Sequence, residues 1–167
     1  MASTNGKRVA SEGVAFGVLA GVMYLAVEML DAVAMRASPL APLRSVASTA
    51  LGSHALDSSL GSTYVAGLVI HLVLSGLFGL GYAEIEARFP DDARRHYLWQ
   101  IGIGVVYAAL LWLVGVEMIA HRFFPWFVPL RPMRHLLQQA LFFGAPLGLM
   151  FAAAVRRTRQ VIRPSVG

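Results

Sequence analysis

"YVAGLVIHLVLSGLFGLGYA", residues 64–83, runs for twenty positions without an Asp, Glu, Lys or Arg. A helix crossing a bilayer needs about 20 predominantly apolar residues, so this stretch reads as a membrane span. Its small residues return every fourth position, in the series Gly67, His71, Ser75, Gly79, Ala83. In lipid, helices associate where small side chains let two backbones approach. A histidine standing in such a row therefore faces the bundle and not the lipid.

Three more stretches have the same character, at 14–35, 97–116 and 136–155, followed by a basic tail at 156–167. The first is interrupted late by Glu28 and Asp31, the third has Gln100 near its start, and the fourth has Gln138 and Gln139 in its first turn. The expected fold is an all-α membrane protein, a single domain over 1–167 with four transmembrane helices in an antiparallel bundle. Composition agrees, since the chain is 57% hydrophobic and 14% charged, where soluble domains carry about 25% charged residues. Mean hydropathy is +0.62. There is no cysteine, which excludes disulfides, thiolate metal sites, iron–sulfur clusters and cysteine nucleophiles. The net charge of +5 comes from arginines at the ends of apolar runs, a pattern that serves membrane orientation and not nucleic-acid binding.

The basic residues set a direction. Lys7, Arg8, Arg88, Arg94, Arg95, Arg156, Arg157, Arg159 and Arg163 fall on one side, against Arg36, Arg44, Arg122, Arg131 and Arg134 on the other. Positive residues stay inside, so the expected placement is a bacterial inner membrane with both termini cytoplasmic. Lys7–Arg8, an apolar run and "AVA" at Ala32–Ala34 have the outline of a secretory signal, but the run's length and its late Glu28 and Asp31 argue against cleavage.

Loop 1 contains "LRSVASTAL", readable as a short helix at the outer interface with Arg44 toward headgroups. Loop 3 carries "RFFPWFVPLRPMR": Phe123, Phe124, Trp126 and Phe127 suit an aromatic belt, and three prolines oppose regular helix there. The helix-packing rows are Gly13, Gly17 and Gly21 in the first span, Gly67, Ser75 and Gly79 in the second, and Gly144 and Gly148 in the fourth. Pro146 should kink the fourth span and free the Phe142 carbonyl.

The intramembrane polar residues gather in the outer half. From the helical rise, Glu28 lies roughly 12 Å deep and His71 roughly 14 Å. Glu117 is a turn inside the end of the third span, with His121 at the boundary. Asp31, His135, Gln138 and Gln139 occupy nearby levels. An ionisable group at depth needs a partner or a purpose. Glu28, His71 and Glu117 form the candidate buried cluster, open to three readings. It can be a structural pair, a proton-linked site (since imidazole titrates near neutrality), or a haem or metal ligand set. The metal reading lacks HExxH or paired ExxH spacing, and His71 and His135 differ in expected depth by about 14 Å, awkward for one haem. His54 in loop 1 is a further outer ligand candidate. No cofactor is expected. Nor is an enzyme: no serine–histidine–acid motif or phosphate-binding loop stands out, although Ser75 shares a helical face with His71.

"GVLAGVMYLAVEML", "PLAPLRSVASTALG", "IHLVLSGLFGLGYA" and "FFPWF" together resemble a broad group of small bacterial four-helix inner-membrane proteins of unknown function. The stretch from His71 through "EARFP" and "LWQIGIG" is similar to YagU-type proteins, a resemblance that implies a link to acid resistance. Loop 1 here is shorter than in that group and has no cysteine. The resemblance implies a four-span bundle with a histidine in the second helix, and supplies no catalytic residue. The expected function is a non-catalytic accessory or scaffold protein, associating with itself as a homo-oligomer or with a larger membrane complex through its glycine rows. The alternatives are a small proton- or ion-linked permeation or sensing protein, and a haem- or metal-binding bundle.

Overall fold

A computed structural model describes residues 2–127 and 131–162. The chain runs as α1 (Ala2–Ala34), α2 (Ala41–Leu51), a 3-10 turn (Ser53–Leu56), α3 (Gly61–Glu86), α4 (Asp91–Arg95), α5 (Tyr97–Trp112), α6 (His121–Phe123), α7 (Pro132–Gln139) and α8 (Ala145–Ile162), with no strand among the described residues. Wide π turns, Leu113–Ala120 and Ala140–Gly144, join α5 to α6 and α7 to α8, making two continuous rods. Four helices are therefore long and apolar enough to cross a membrane: Val9–Ala34, Gly61–Glu86, Tyr97–Phe123 and Pro132–Arg157. The fold is the expected antiparallel four-helix bundle.

All four spans are longer than their apolar runs, at one end or at both. Backbone hydrogen bonding does not stop where the lipid does. The clearest case is the fourth, which begins at Pro132 and not at Leu136. Proline lacks the N–H that a first helical turn leaves unpaired anyway, and its fixed φ suits that position. One of the prolines read as opposing helix therefore starts one. The residues between, 128–130, lie outside the described set.

The bundle is built from two glycine-seamed pairs. In α1 and α3, Gly13, Gly17 and Gly21 meet Ala83, Gly79 and Ser75 in antiparallel register; a methyl added at Gly17 would stand 2.7 Å from Gly79 Cα, and one at Gly21 2.5 Å from Ser75 Cβ. In α5 and the fourth span, Gly104 and Ala108 meet Gly148 and Gly144, where a methyl on Gly144 would lie 2.8 Å from Ala108 Cβ. These rows therefore pack within the chain. Gly67 is the exception: it admits the backbone of α2, its would-be methyl lying 2.8 Å from the Leu43 carbonyl carbon.

Aromatic side chains fill the space between the pairs. Tyr82 packs on Tyr107 and Phe151, with ring centroids 5.4 and 5.1 Å apart, and Phe16 meets Phe151 edge-on at 5.1 Å. With Ala20, Tyr24, Phe143 and Leu147 they form the buried core. The outward face is apolar, as in Leu30, Val73, Leu98 and Leu110, and contacts lipid.

Loop 1 does form a helix, α2, with Pro42 in its first turn. It buries Leu43 and Ala47 against α3. That orientation turns Arg44 inward of its expected headgroup position, for its Nε is buried and without a hydrogen-bond partner among the described residues. Before Pro146 the helix widens by one residue: the Ala145 N–H donates to the Ala140 carbonyl, a π-type bond. The irregularity expected from Pro146 thus takes the form of a π turn just upstream.

Candidate functional site

At the loop 1 end of the bundle, α1, α5 and α7 bring four polar side chains together. His135, one turn into α7, is the hub. The Trp112 indole Nε1–H donates to its Nδ1 at 2.8 Å. Its Nε2 lies 2.8 Å from Glu28 Oε1 and 2.9 Å from the Tyr24 hydroxyl, which in turn donates to Glu28 Oε1 at 2.9 Å. An indole can only donate, so Nδ1 accepts and the ring proton sits on Nε2. Glu28 Oε1 then receives two donors, Tyr24 O–H and His135 Nε2–H. The arrangement is free of conflict when the His135 ring carries its one proton on Nε2, and Glu28 Oε2 takes no part in it.

Above this network is an open cavity of about 410 Å³. Its floor includes Glu28 and His135, and its walls come from α1, from α2 and from α7 with Gln138. Trp126 and Phe127 stand at its edge. Asp31 and Arg134, both lining it, form an ion pair across the walls, meeting without hydrogen-bond alignment at the buried Asp31 Oδ1. Arg131, exposed, also lines it and has no carboxylate partner among the described residues.

The candidate residues divide. Glu28 and His71 do not bond to each other. His71 is buried, at 8% exposure, and its Nε2 lies 2.9 Å from the Gly21 carbonyl, a link between α3 and α1. Tyr24 touches both histidines, stacking on His71 at 6.2 Å and meeting His135 edge-on at 6.0 Å. The expected depth gap between His71 and His135 is thereby bridged by a single tyrosine ring. Glu117 is remote from this group: it pairs with His121 at 3.3 Å on a face where the two side chains are 35% and 41% exposed. Gln139 reaches the Ala108 carbonyl at 3.4 Å, while Gln138 faces the cavity. Ser75 donates to the His71 backbone carbonyl at 2.7 Å, not to its ring. His54 is exposed in the 3-10 turn. No group of three or more His, Asp or Glu side chains is placed to hold a metal ion among the described residues.

Tyr24 and Trp112 carry half of the network and look in sequence like ordinary aromatics in apolar runs. One signal does exist for Tyr24, which precedes Glu28 by four residues and so shares its helical face. In sequence His135 stands at the start of the fourth span, and the helix start at Pro132 carries it one turn inward.

A second polar network closes the opposite end. Arg94 grips Glu86 with two bonds, Nε to Oε1 at 2.7 Å and Nη2 to Oε2 at 2.9 Å. Gln100, fully buried, donates to Glu86 Oε1 at 3.4 Å and accepts from Tyr82 at 2.7 Å. Arg156 donates to the Arg95 carbonyl at 2.9 Å and lies 4.1 Å over the Tyr97 ring. Both oxygens of Glu86 and both polar ends of the Gln100 amide have partners, and this end has the character of a clasp between α3, α4, α5 and α8.

The chain matches no protein-family model, no curated protein and no solved structure. Fold and surface define its class: an all-α, multi-pass integral membrane protein with four spans.

Proposed function

We propose that the protein is a non-catalytic, proton-responsive membrane sensor whose working site is the Tyr24–Glu28–Trp112–His135 network. The observation that carries this reading is the Trp112 bond to His135 Nδ1. A further proton has two places to go. On Nδ1 it would oppose the indole N–H, which cannot turn acceptor. On Glu28 it would sit on Oε2, which has no partner among the described residues, and would leave both bonds to Oε1 in place. Only the proton on Nδ1 breaks an interhelical contact, the one between α5 and α7. The groups facing the hub are Trp112 from α5, Tyr24 and Glu28 from α1, and the Asp31–Arg134 pair with Arg131 one turn away. His71 of α3 adjoins through Tyr24. The cavity gives protons access from one side only, because Tyr82, Phe143, Leu147 and Phe151 fill the bundle beneath. That closure favours sensing over permeation.

The arginine bias supports a bacterial inner membrane with both ends cytoplasmic, which puts the cavity on the outer face. A scaffold role resting on the glycine rows has less support, because those rows are occupied within the chain.

Tryptophan fluorescence tests the reading. In a Trp99→Phe/Trp126→Phe background in nanodiscs, Trp112 alone reports. Protonated imidazole quenches a neighbouring indole, so Trp112 emission is expected to fall on acidification, scanned from about pH 8 to pH 5. His135→Gln should abolish the change and Glu28→Gln should displace its midpoint. Emission that is flat across that range, or a transition that survives His135→Gln, would sink the proposal.

A further inference from the structure

The cavity has a charge pattern of its own, beyond the proton chemistry of its floor. Both bonds to Glu28 fall on Oε1. Oε2 has no partner among the described residues and is not buried, so it opens to the cavity. At the other pole stands Arg131. The His135 N–H donates to the Arg131 carbonyl at 3.1 Å, which places Arg131 one helical turn outward of the ring that holds Glu28. One turn is about 5–6 Å. Between the two poles, Asp31 and Arg134 neutralise each other. The cavity therefore presents an open carboxylate oxygen within and a guanidinium without a carboxylate partner among the described residues one helical turn further out. Its walls are mostly apolar, with Met35, Pro42, Val46 and Leu56 among them. Its edge carries Trp126 and Phe127, the residue types that settle at headgroup level.

We infer that the cavity binds the headgroup of a zwitterionic phospholipid bearing a primary ammonium, of the phosphatidylethanolamine type. The ammonium donates to Glu28 Oε2, the phosphate takes the Arg131 guanidinium, and the glycerol and upper acyl carbons lie on the apolar wall. A guanidinium suits a phosphate by its planar fork of donors. A primary ammonium has three N–H donors for the carboxylate, whereas a trimethylated one has none. The lipid is the occupant at hand, since the cavity opens where the spans end and aromatic residues mark the headgroup level. This inference rests on the sensor reading for the role of Glu28 at the cavity floor, where the ammonium would pair with its carboxylate, and on geometry for the rest.

The full-length protein would be reconstituted in nanodiscs holding phosphatidylethanolamine, phosphatidylcholine and phosphatidylglycerol of identical acyl chains. Lipids retained on release into mild detergent would be counted by native mass spectrometry. The expected result is one retained phosphatidylethanolamine, at least about tenfold over phosphatidylcholine and phosphatidylglycerol, a free-energy difference of about 1.4 kcal/mol. Arg131→Gln, an exposed change that touches no atom of the hub, should erase that preference while Trp112 emission still falls on acidification, whether or not the midpoint moves. That separates failure of the lipid assignment from failure of the sensor reading. Glu28→Gln should reduce the discrimination against the trimethylated head. Equal retention of all three lipids, or a preference unaltered by Arg131→Gln, would overturn the inference. So would displacement of the lipid by soluble phosphoethanolamine at equal concentration, which would make the free headgroup the true ligand.

Discussion

Gly79→Ala should cost the bundle about 3 kcal/mol, the upper end of what overpacking a close-packed site costs. The added methyl would lie 2.5 Å from Gly17 Cα and 2.7 Å from Gly17 N. Both obstacles are backbone, so no side-chain end can swing aside. The helices α1 and α3 must spread along their length, and the neighbouring contacts of Gly13 with Ala83 and Gly21 with Ser75 must open with them. The His71 bond to the Gly21 carbonyl, 2.9 Å across the same seam, lengthens as a consequence. Thermal unfolding in nanodiscs, followed by circular dichroism, measures the loss. Gly102→Ala and Gly115→Ala are the internal controls. Neither methyl would meet anything within 4 Å, so both variants should unfold within a degree or two of wild type or slightly above it, given the lower helix propensity of glycine. Equal behaviour of Gly79→Ala and Gly102→Ala would mean that the α1–α3 seam is not as close as described.

Arg94→Met should be of similar size for a different reason. Glu86 is 1% exposed, and Arg94 supplies both of its strong partners. Removing the guanidinium leaves a buried carboxylate with the Gln100 amide at 3.4 Å and nothing comparable in its place. Breaking a buried pair from one side costs about 3–5 kcal/mol, since an uncompensated charge remains. The double variant Arg94→Met/Glu86→Gln removes the charge as well. It should recover most of the loss, so that the two single effects sum to clearly more than the double. The same unfolding assay reads the cycle. Additive single effects would show that Glu86 does not depend on Arg94 for its burial.

Several features of this architecture can be read directly from the chain, and the reasons are physical. Lipid demands long apolar helices, so "YVAGLVIHLVLSGLFGLGYA" identifies itself as a span without reference to any neighbour. Small residues four apart identify a contact face for the same reason. What a single row cannot carry is the identity of its partner. Gly17 could meet a glycine in any other span or in another copy, and only the folded chain pairs it with Gly79. Gly67 looks like part of the same row, yet it receives α2, because loop 1 folds back along α3.

The site was partly legible. Glu28 stands out as a carboxylate in an apolar run, and its helical level points to the outer half of the bundle. Its true partner, His135, is obscured by Pro132, which reads as the end of a loop and acts as the start of a helix. Trp112 is harder still. Its role depends on the π turn that follows it and on the direction of a single N–H, neither of which leaves a mark in composition. Glu86 falls just beyond the apolar run at 64–83 and resembles a solvated helix end, but Arg94 folds back through α4 to hold it inside.

The central claim is that His135 Nδ1 accepts from the Trp112 indole and that a proton added at Nδ1 breaks this bond. Nitrogen-15 magnetic resonance of the histidine-labelled protein in nanodiscs tests it most directly, with the His135 signals assigned by their loss in His135→Gln. At neutral pH the account predicts an unprotonated Nδ1 and a protonated Nε2, with the Trp112 indole proton correlated to Nδ1. On acidification Nδ1 should gain a proton as that correlation disappears. A His135 ring already protonated at Nδ1 at neutral pH, or one that takes up a proton while the indole correlation persists, would contradict the account.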